Sequence, residues 1–572
     1  MSALQAHQVV GLFSISLLLV TNIYADEIDI TTDEVDVRAA RENLIGVADS
    51  ASQGLVAGDR IANIPLLRPG EALEQTPGLI VSQHSGSGKA NQYYLRGFNL
   101  DHGTDFSLSL VGTPINNPTH AHGQGYADAN FLIPELIESI EFRKGPYFAD
   151  LGDFSLAGAA KINYYHTLPK NIASATVGED GYRRLLIAGS SEQGPGELLY
   201  AFEANLYDGP WDNPENTRKL NGVLRWNTGN DEKGFDLLAI LYHNRFDSTD
   251  QVPLRAINSG LIGRFGAIDP TDGGRTHRYS LSADWHNGPW KANAYFIDYS
   301  LDLFSNFTFF LDDPINGDQF HQADRRKVYG GAVSRHFDSN LFGQQIDQDI
   351  GLQTRYDDIG QVALSKTVAQ HFLSNTRNDS VKQFSGALWW QAGWQATERL
   401  RATVGLRGDY YHFDVISNNS LNSVVANANI VSPKLGLIWR SSQNTDLYFN
   451  YGNGFHSNDG RGSTITVDPK TGDPLQKVNP LVRGRGTEIG IRGAWLPGWQ
   501  TTLALFNLDI DSELLFTGDA GTTEPSRPSR RNGVEWSNHY LPTNWLYVDA
   551  NFAISRAQFR DSDPVGNNYP VL

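Results

Sequence analysis

A two-residue alternation of polar and apolar side chains recurs along about four hundred residues after Tyr164, and it limits the folds that this chain can adopt. In the segment 279–286, alternate positions hold two aromatic residues, a leucine and an alanine, whereas the positions between them hold two serines, an aspartate and a histidine. Successive side chains of a β-strand point to opposite faces, so this segment predicts a strand with one apolar and one polar face. The segments 401–409, 488–495 and 546–555 repeat the pattern.

A soluble β-sandwich would alternate in the same way, but two further patterns favour a membrane barrel. Short predicted connections, such as 227–233 and 287–289, alternate with long ones rich in Gly, Asp and Asn, such as 247–276, 306–326 and 458–485. Aromatic girdles are indicated by tryptophans near predicted strand ends: Trp211, Trp226, Trp285, Trp290, Trp389, Trp390, Trp394 and Trp439. We therefore predict a mainly β protein with a transmembrane antiparallel β-barrel over residues 171–572.

The composition argues against several other classes of protein. A formal charge of −18 and a pI near 5.2 leave no basic surface for nucleic acid. The chain has no cysteine, and therefore neither a disulfide nor a thiolate metal site. Its Ser, His and Asp residues form no nucleophile motif and no GxxxxGK[ST] run occurs, so we expect no enzyme activity. Beyond the amino terminus, no segment approaches the 18 apolar residues of a membrane-spanning helix.

Residues 1–25 are predicted to be an export signal. Val9 to Val20 forms an apolar run, and Tyr24-Ala25 precedes the acidic Asp26-Glu27. The alternative is an uncleaved anchor, because the segment before the apolar run lacks the usual Lys or Arg. A run of about a dozen residues is too short to span the bilayer, which favours the signal.

A small α+β domain is predicted over residues 46–165, ahead of the barrel. Pro69 is placed to begin a short helix that ends near Gln75, and Pro77-Gly78 then turns the chain into a strand from Leu79 to His84. A later strand shows Ile140 and Phe142 alternating with charged neighbours, and it ends at Gly145-Pro146.

The motifs of this domain carry a family resemblance. The segments LEQTPGLIV, YLRGF and IESIEFRKGPYFADLGDFSLAGAAKI, in this order, resemble the plug signature of TonB-dependent outer-membrane receptors. The later segments FNYGNGFHSNDGRG, LVRGRGTEIGIR and RPSRRNGVEWSNHY look like barrel motifs of one branch of that family. The resemblance implies a plug inside a 22-stranded barrel in the outer membrane of a Gram-negative bacterium. It also implies contact with outer-membrane lipid and with the TonB complex of the inner membrane, and we expect a monomer.

The predicted barrel has fewer strands than the family implies. We count seventeen or eighteen strands from Asn171 onward, and the chain ends in a turn-like segment after 561–568. An open barrel would leave unpaired strand edges in lipid. We therefore expect that the chain lacks its last strands and does not close the barrel.

A TonB box is predicted in the leader, residues 26–45. The resemblance places it at Glu34, Val35, Asp36, Val37, Arg38 and Ala39, as an extended peptide that adds a strand to its partner. Asp36 departs from the usual apolar alternation, so the register stays open, with Ile28–Thr32 as the reserve candidate. The alternative for such a short peptide is a flexible leader without a partner.

The resemblance also implies two plug-locking residues. Arg96 in YLRGF and Arg143 in FRKGP lie where plugs of this family pair arginines with carboxylates of the barrel wall. Ordinary surface arginines are the alternative.

Turns of the plug apex are the predicted ligand platform, because histidines concentrate there. The candidate ligand-binding residues are Asp101, His102, Asn117, His120, His122, Gln124 and Tyr126, together with His456 from the barrel. His120 and His122, two apart in a loop, could present imidazoles to a metal, with Asp101 or His102 completing the shell and His84 nearby. The alternative is that these histidines only bind backbone groups. The Asp312, Asp313 and Asp318 set similarly fits either calcium or a polar turn.

The expected function is TonB-dependent import of a ferric siderophore or another metal chelate, with no tightly bound cofactor. Two alternatives stay open: a passive outer-membrane channel or surface-binding protein, and a TonB-dependent importer of cobalamin or oligosaccharide.

Overall fold

The computed structural model describes residues 43–83, 88–341, 343–513, 515–517, 521–524, 527–543 and 545–561. The predicted signal peptide, the predicted TonB box and the reserve segment Ile28–Thr32 lie outside these residues, as does His84.

The small amino-terminal domain contains short strands and single helical turns. Its strands are β1 (Gln53–Ala57), β2 (Ile80–Ser82), β3 (Gln92–Leu95), β4 (Phe98–Asn99), β5 (Phe106–Leu110), β6 (Thr113–Pro114), β7 (Ile137–Lys144) and β8 (Gly158–Tyr164). Its helical segments are α1 (Gly58–Ala62) and the 3-10 helices Pro69–Gln75 and Pro134–Leu136. The short helix predicted after Arg68 is therefore present as a 3-10 helix, with Pro69 at its first position, where no backbone N–H is needed.

Two sheets organise this domain. One has the order β1-β7-β8-β5-β6, with β5 and β8 parallel, and the other has the order β2-β3-β4. In β5, the side chains of Phe106, Leu108 and Leu110 point into a buried core while the intervening serines do not. In β7, Ile140 and Phe142 are buried while Glu141 and Arg143 remain partly exposed, as their alternation predicted.

The described residues between 172 and 559 form the barrel and its external hairpin. The barrel strands are β9 (Ile172–Val177), β10 (Arg183–Gln193), β11 (Gly196–Tyr207), β12 (Thr217–Gly229), β13 (Lys233–Asp247), β14 (Gly273–Asn287), β15 (Trp290–Ser305), β16 (Phe320–Leu341), β17 (Gln344–Val368), β18 (His371–Thr397), β19 (Leu400–Ser417), β20 (Val425–Ser442), β21 (Thr445–Ser457), β22 (Leu481–Leu496), β23 (Trp499–Ile510), β26 (Ser529–Thr543) and β27 (Leu546–Phe559). The hairpin is β24 (Leu515–Thr517) and β25 (Thr522–Glu524).

Short helical turns also lie in the connections: α2 (Leu254–Asn258), α3 (Gly460–Thr464) and the 3-10 helix Ser420–Asn422. In the part of the chain that is described, no helix has the length and apolar character needed to cross a bilayer.

The barrel has 17 described strands in the order of a closed sheet, in which β27 lies beside β9. This order corrects the expectation that the described strands would leave the barrel open, and the strand number is lower than the 22 that the resemblance implied. Antiparallel ladders join each strand to the next from β9 through β27. Because the number of described strands is odd, β9 and β27 run in the same direction. Their junction is therefore parallel, whereas the other junctions of the described barrel are antiparallel.

The two ends and the two faces of the barrel differ as the sequence predicted. The connection from β14 to β15 is a two-residue turn, whereas those from β13 to β14 and from β21 to β22 are long loops at the opposite end. On the outer face of β14, Tyr279, Leu281 and Trp285 expose 39%, 47% and 41% of their surface, while inward Ser282 is buried. Apolar side chains directed outward are what a lipid-facing wall requires.

Candidate functional site: the plug apex and its contacts with the barrel wall

The apex loop follows β6 and ends near Phe131, at the long-loop end of the barrel. Asn116 stabilises its base: Oδ1 accepts a hydrogen bond from the Leu108 amide (2.7 Å), and Nδ2 donates to the carbonyls of Gly103, Phe106 and Gly125 (2.9, 3.0 and 3.2 Å). One side chain thus joins the turn that contains Gly103 to the apex loop.

Two of the predicted ligand histidines, His102 and His122, form a chain of hydrogen bonds. His102 Nδ1 lies 3.0 Å from the carbonyl of Ala90, so this nitrogen carries the proton. Its Nε2 then accepts from His122 Nε2 at 3.0 Å, and His122 Nδ1 lies 2.7 Å from Oε1 of Gln322 in the barrel strand β16. This series of hydrogen bonds therefore connects the plug core to the barrel wall.

His120 faces a different set of groups. Its ring stacks on Tyr126, with centroids 4.0 Å apart, and its Nε2 lies 3.1 Å from the hydroxyl of Tyr299 in β15. Its Nδ1 accepts from the backbone amide of His122 (3.2 Å), so Nε2 is the donor. His120 is fully buried.

An external loop segment covers the apex. Arg461 donates to the carbonyl of His120 (2.7 Å) and pairs with Asp459 (2.7 Å), whose carboxylate also accepts from the His120 amide (3.3 Å). The amide of Gly460 donates to the hydroxyl of Thr119 (2.8 Å). These contacts form a roof, residues 459–461, over the predicted ligand platform.

The other predicted ligand residues lie in or around the same apex. Gln124 bonds Asn458 and the Asp459 amide, both at 3.3 Å, and Asn117 is buried with its amide on the Tyr126 carbonyl (2.9 Å). Tyr126 accepts from the Ala90 amide through its hydroxyl (2.8 Å). The remaining two predicted residues are Asp101 and His456.

These two residues differ most in exposure. Asp101 exposes 37% of its side chain, more than any histidine of the apex. His456 on β21 is buried and binds both carboxylate oxygens of Asp105 in the plug at 3.1 Å. His456 therefore holds the plug to the wall, and the solvent-facing side of the platform is at Asp101.

The structure does not assemble the predicted metal shell. His120 points to Tyr299 and His122 points to His102, so the two imidazoles do not converge. Within the described residues, no group of three His, Asp or Glu side chains is arranged to hold a metal ion. The alternative, that these histidines bind backbone groups, holds in part: His102 binds the Ala90 carbonyl and His120 accepts from the His122 amide. The partners Tyr299 and Gln322, however, are side chains of the barrel wall.

The acidic set 312–318 also forms a turn. Asp318 accepts from the amides of Leu311 (2.7 Å) and Asp313 (2.8 Å), and Asp313 in turn accepts from the amides of residues 315 and 316. Carboxylates used in this way cap the backbone, as the polar-turn alternative predicted.

Burial sets the charge state of the apex. It lowers the pKa of His120 well below the usual range, and the nearby cations Arg326 and Arg461 lower it further. Burial likewise lowers the pKa of His122. Burial therefore favours the neutral form of both rings at pH 7, and the single proton that this leaves on His120 accounts for both of its ring hydrogen bonds.

Arg96 makes the plug-to-wall contact that was predicted for it. Its Nη2 lies 2.7 Å from Glu488 on β22 and 3.0 Å from Glu535 on β26, and the Arg96 side chain is fully buried. Ser52 of the plug donates to the same Glu488 oxygen (2.8 Å). Four groups from two domains thus share one buried charged network.

The corresponding prediction for Arg143 is wrong. Arg143 pairs with Asp150 of the plug itself (2.9 Å), and both side chains are about one-third exposed. Its neighbour Lys144 reaches the wall instead, at 3.0 Å from Glu535. The reason is strand parity: Lys144 lies on the buried face of β7 with Phe142, whereas Arg143 lies on the other face.

Sequence reasoning also missed Asp459 and Arg461 as parts of the site. Lys144 could have been found from the alternation in β7, but the roof could not, because residues 459–461 and the apex are more than 330 positions apart.

Comparison with known proteins supports the same architecture. Residues 47–159 match the family description "TonB-dependent Receptor Plug Domain", and residues 205–571 match "TonB dependent receptor-like, beta-barrel". A curated relative, the vitamin B12 transporter BtuB of Vibrio vulnificus (strain YJ016), is 29% identical over 153 residues, which are 27% of this chain and 23% of the relative. The matched region thus spans less than a quarter of that relative's length.

Solved structures resemble the whole chain more fully. A structure described as the copper transporter OprC has a TM-score of 0.68 at 15% identity, with 90% of this chain and 80% of that chain covered. The ferric citrate transporter FecA in the unliganded form has a TM-score of 0.72 at 14% identity, with 92% and 81% covered. The ferric yersiniabactin receptor FyuA from Yersinia pestis has a TM-score of 0.67 at 15% identity, with 90% and 79% covered.

At such identities these structures support the fold, while the matches to plug and barrel together extend over most of the sequence. The chain therefore belongs to the TonB-dependent receptors, transport proteins of the Gram-negative outer membrane that carry a plug domain within a β-barrel.

Proposed function

We propose that this protein imports a bulky metal chelate, with a ferric siderophore as the leading candidate, using energy supplied through TonB. The observation that carries the proposal is the double closure of the plug. The apex lies under the roof of residues 459–461, and Arg96 ties the plug to the wall through buried carboxylates. A bulky solute can pass this arrangement only if the plug moves.

The interface between plug and wall is suited to such movement. Its contacts include charged and polar pairs such as Lys144 with Glu535 and His456 with Asp105. Polar contacts can be exchanged for contacts with water when the plug shifts, whereas exposing an apolar core has no such compensation. Pulling from the periplasm supplies the work, and no covalent chemistry is required.

The ligand class is inferred from the apex and from the relatives. Once the roof lifts, His120, His122 and His102 would present hydrogen-bonding imidazoles beside the partly exposed Asp101, and such groups suit the polar surface of a metal chelate rather than a bare metal ion. Neighbours named for copper, ferric citrate and ferric yersiniabactin favour the same class. The vitamin B12 relative keeps cobalamin as the second candidate.

The decisive experiment measures uptake of labelled ligands by a TonB-competent strain and an isogenic TonB-deficient strain. The panel contains iron chelates, free metals, cobalamin and oligosaccharides. We expect uptake of at least one chelate in the competent strain alone, with surface binding equal in both strains. Equal uptake in both strains for every ligand would refute energised import and favour the passive channel.

Two deletions locate the proposed TonB box. Removing Glu34–Ala39 should abolish uptake and leave binding intact, whereas removing the upstream segment Ile28–Thr32 should leave both intact. The reverse result would move the box to the upstream segment, and unchanged uptake in both variants would contradict the proposal of a box in the leader.

A further inference from the structure

The outer face of strands β10 to β14 carries a row of arginines. Paired residues in adjacent strands lie on the same face, and the register aligns Arg183 with Leu206, Leu206 with Arg218, Arg218 with Arg245, and Arg245 with Arg275. We call Arg183, Arg218, Arg245 and Arg275 the arginine row.

The arginine row faces away from the plug. Arg184, the neighbour of Arg183, points inward and binds Glu135 of the plug at 2.5 Å, and Arg278, three residues from Arg275, binds the plug carbonyl of Pro114 at 2.9 Å. Alternation along each strand then directs the row outward, and all four of its side chains are exposed.

The row lies at the outer edge of the lipid-facing band. On β14, outward Trp285 belongs to the short-turn end, and Arg275 lies about ten residues further along the strand. With a rise of about 3.3 Å per residue and a strand tilt of about 40°, this separation spans roughly 25 Å, which is about the height of the apolar band. Below the row, Leu185, Leu220 and Leu241 expose 41%, 50% and 60% of their surface.

Without a bound anion, the close spacing of the arginine row is electrostatically unfavourable. Arg218, Arg245 and Arg275 lie directly opposite one another on three adjacent strands, and like charges in such positions repel. Arg275 pairs with Asp302 (2.7 Å), but Arg183, Arg218 and Arg245 have no ion pair among the described residues. Asp302 is itself shared with Arg325 and His321, so it neutralises the row only at one end.

Another part of the same outer face is charge-balanced. There the register sets Lys327 opposite Asp358, Asp358 opposite Lys382, and Lys382 opposite Asp414. This alternation stabilises a sheet without any external ion. The arginine row differs from it, although the protein as a whole carries a formal charge of −18.

We propose that the arginine row is a docking surface for the phosphate groups of an outer-leaflet glycolipid. The occupant must be anionic, must lie at the outer interface and must have acyl chains that cover the leucines below. A phosphorylated glycolipid headgroup meets all three conditions. Guanidinium groups bind phosphate through paired N–H donors, which fits arginine at every charged position of the row.

The test uses the full-length protein, purified from outer membranes in detergent and titrated with lipid in native mass spectrometry. The probes are diphosphorylated lipid A, the same lipid after removal of its phosphates, and inorganic phosphate. We expect the diphosphorylated lipid to bind at least tenfold more tightly than the dephosphorylated one. Equal affinity for the two lipids would overturn the proposal. If inorganic phosphate bound with micromolar affinity and displaced the diphosphorylated lipid, that result would likewise overturn the assignment to lipid.

Matched variants test the residues. The change Arg218→Gln with Arg245→Gln should weaken binding of the diphosphorylated lipid roughly thirtyfold, from about one kilocalorie per arginine near an anionic surface. The control, Lys327→Gln with Lys382→Gln, removes the same charge from the balanced part of the face and should change binding less than about twofold. Equal losses in both variants would contradict the role of the row.

A charge-conserving variant controls for misfolding of the variant Arg218→Gln with Arg245→Gln. Arg218→Lys with Arg245→Lys keeps the charge and should retain most of the preference for the phosphorylated lipid. If this variant, folded, showed no preference while the wild type did, the charge of the row would not account for docking, and that result would contradict the proposal. If the wild type showed none, the proposal would be refuted. Ligand uptake is measured separately and does not affect either result.

Discussion

The guanidinium of Arg96 in the plug lies 2.7 Å from the carboxylate of Glu488 in the barrel wall, and neither side chain exposes any surface. Burial alone would lower the pKa of Arg96, but Glu535 and Glu488 raise it above its ordinary value. The arginine therefore stays charged throughout the physiological range. Because the pair is shielded from water, the contact is strong while both partners are present. Removing only one partner leaves a buried charge without compensation, which is costly.

Replacing Arg96 by Gln should loosen the plug. The change leaves two buried carboxylates with Lys144 as their remaining cation, and losing one partner of a buried pair costs about 3–5 kcal/mol. Hydrogen exchange of the β3 and β7 amides should therefore accelerate. In the control Arg143→Gln, the lost partner is Asp150 on a partly exposed surface, so the cost should stay below about 1 kcal/mol. Similar exchange in both variants would contradict a lock at Arg96.

Acidification should open the apex. His120 and His122 are held neutral by burial, so their folded pKa values lie below the unfolded value near 6.5. Below that pH the unfolded apex takes up protons and the folded one does not, so stability falls by about 1.4 kcal/mol per pH unit for each histidine. Amide exchange of residues 121–125, corrected for intrinsic rates, should be faster at pH 5.5 than at pH 7.5.

Two variants separate this effect from general acid sensitivity. His122→Gln should reduce the pH dependence because the new side chain does not titrate. His336→Gln removes a half-exposed histidine of β16 and should leave the dependence unchanged. A pH dependence that survives in His122→Gln would show that other groups control the apex.

Removing Arg461 should lift the roof. The side chain is buried and donates to the His120 carbonyl (2.7 Å) while it neutralises Asp459. Arg461→Gln leaves that carboxylate without its cation, at a cost of about 3 kcal/mol or more, so the loop 458–480 should become sensitive to protease. Arg483→Gln, which removes a partly exposed arginine bonded to one carbonyl, is the control and should leave the cleavage rate unchanged. Equal cleavage of both variants would argue against the roof.

A charge on the lipid-facing wall should destabilise the barrel according to its depth. Leu241 exposes 60% of its surface on β13, and Leu421 exposes 62% in an external turn. Leu241→Arg should cost about 2–4 kcal/mol in a bilayer, whereas Leu421→Arg should cost less than about 1 kcal/mol. Unfolding by urea in lipid vesicles measures both. Equal costs would mean that Leu241 does not face hydrocarbon.

The periodicity of the sequence predicted the strands well because each strand is a local pattern. The alternation in 279–286, the short turn after β14 and the long loop before it all appear in the structure. Strand number and closure were less predictable, because they depend on which strands pair across the barrel. The order of 17 strands as a closed sheet therefore corrected the expected open barrel.

The sequence predicted most residues of the candidate site, but it did not predict which partners these residues contact. Sequence alone was enough to predict histidines and an arginine motif at the turns of a small domain ahead of a barrel, since motifs and turns are local patterns of a few residues. The folded arrangement was needed to show that Lys144 rather than Arg143 reaches the wall, that His120 and His122 face different partners, and that residues 459–461 cover them. Contacts such as Lys144 with Glu535 and Arg461 with His120 join residues more than 300 positions apart, and the direction of each side chain depends on strand parity and on the packing of the plug within the barrel.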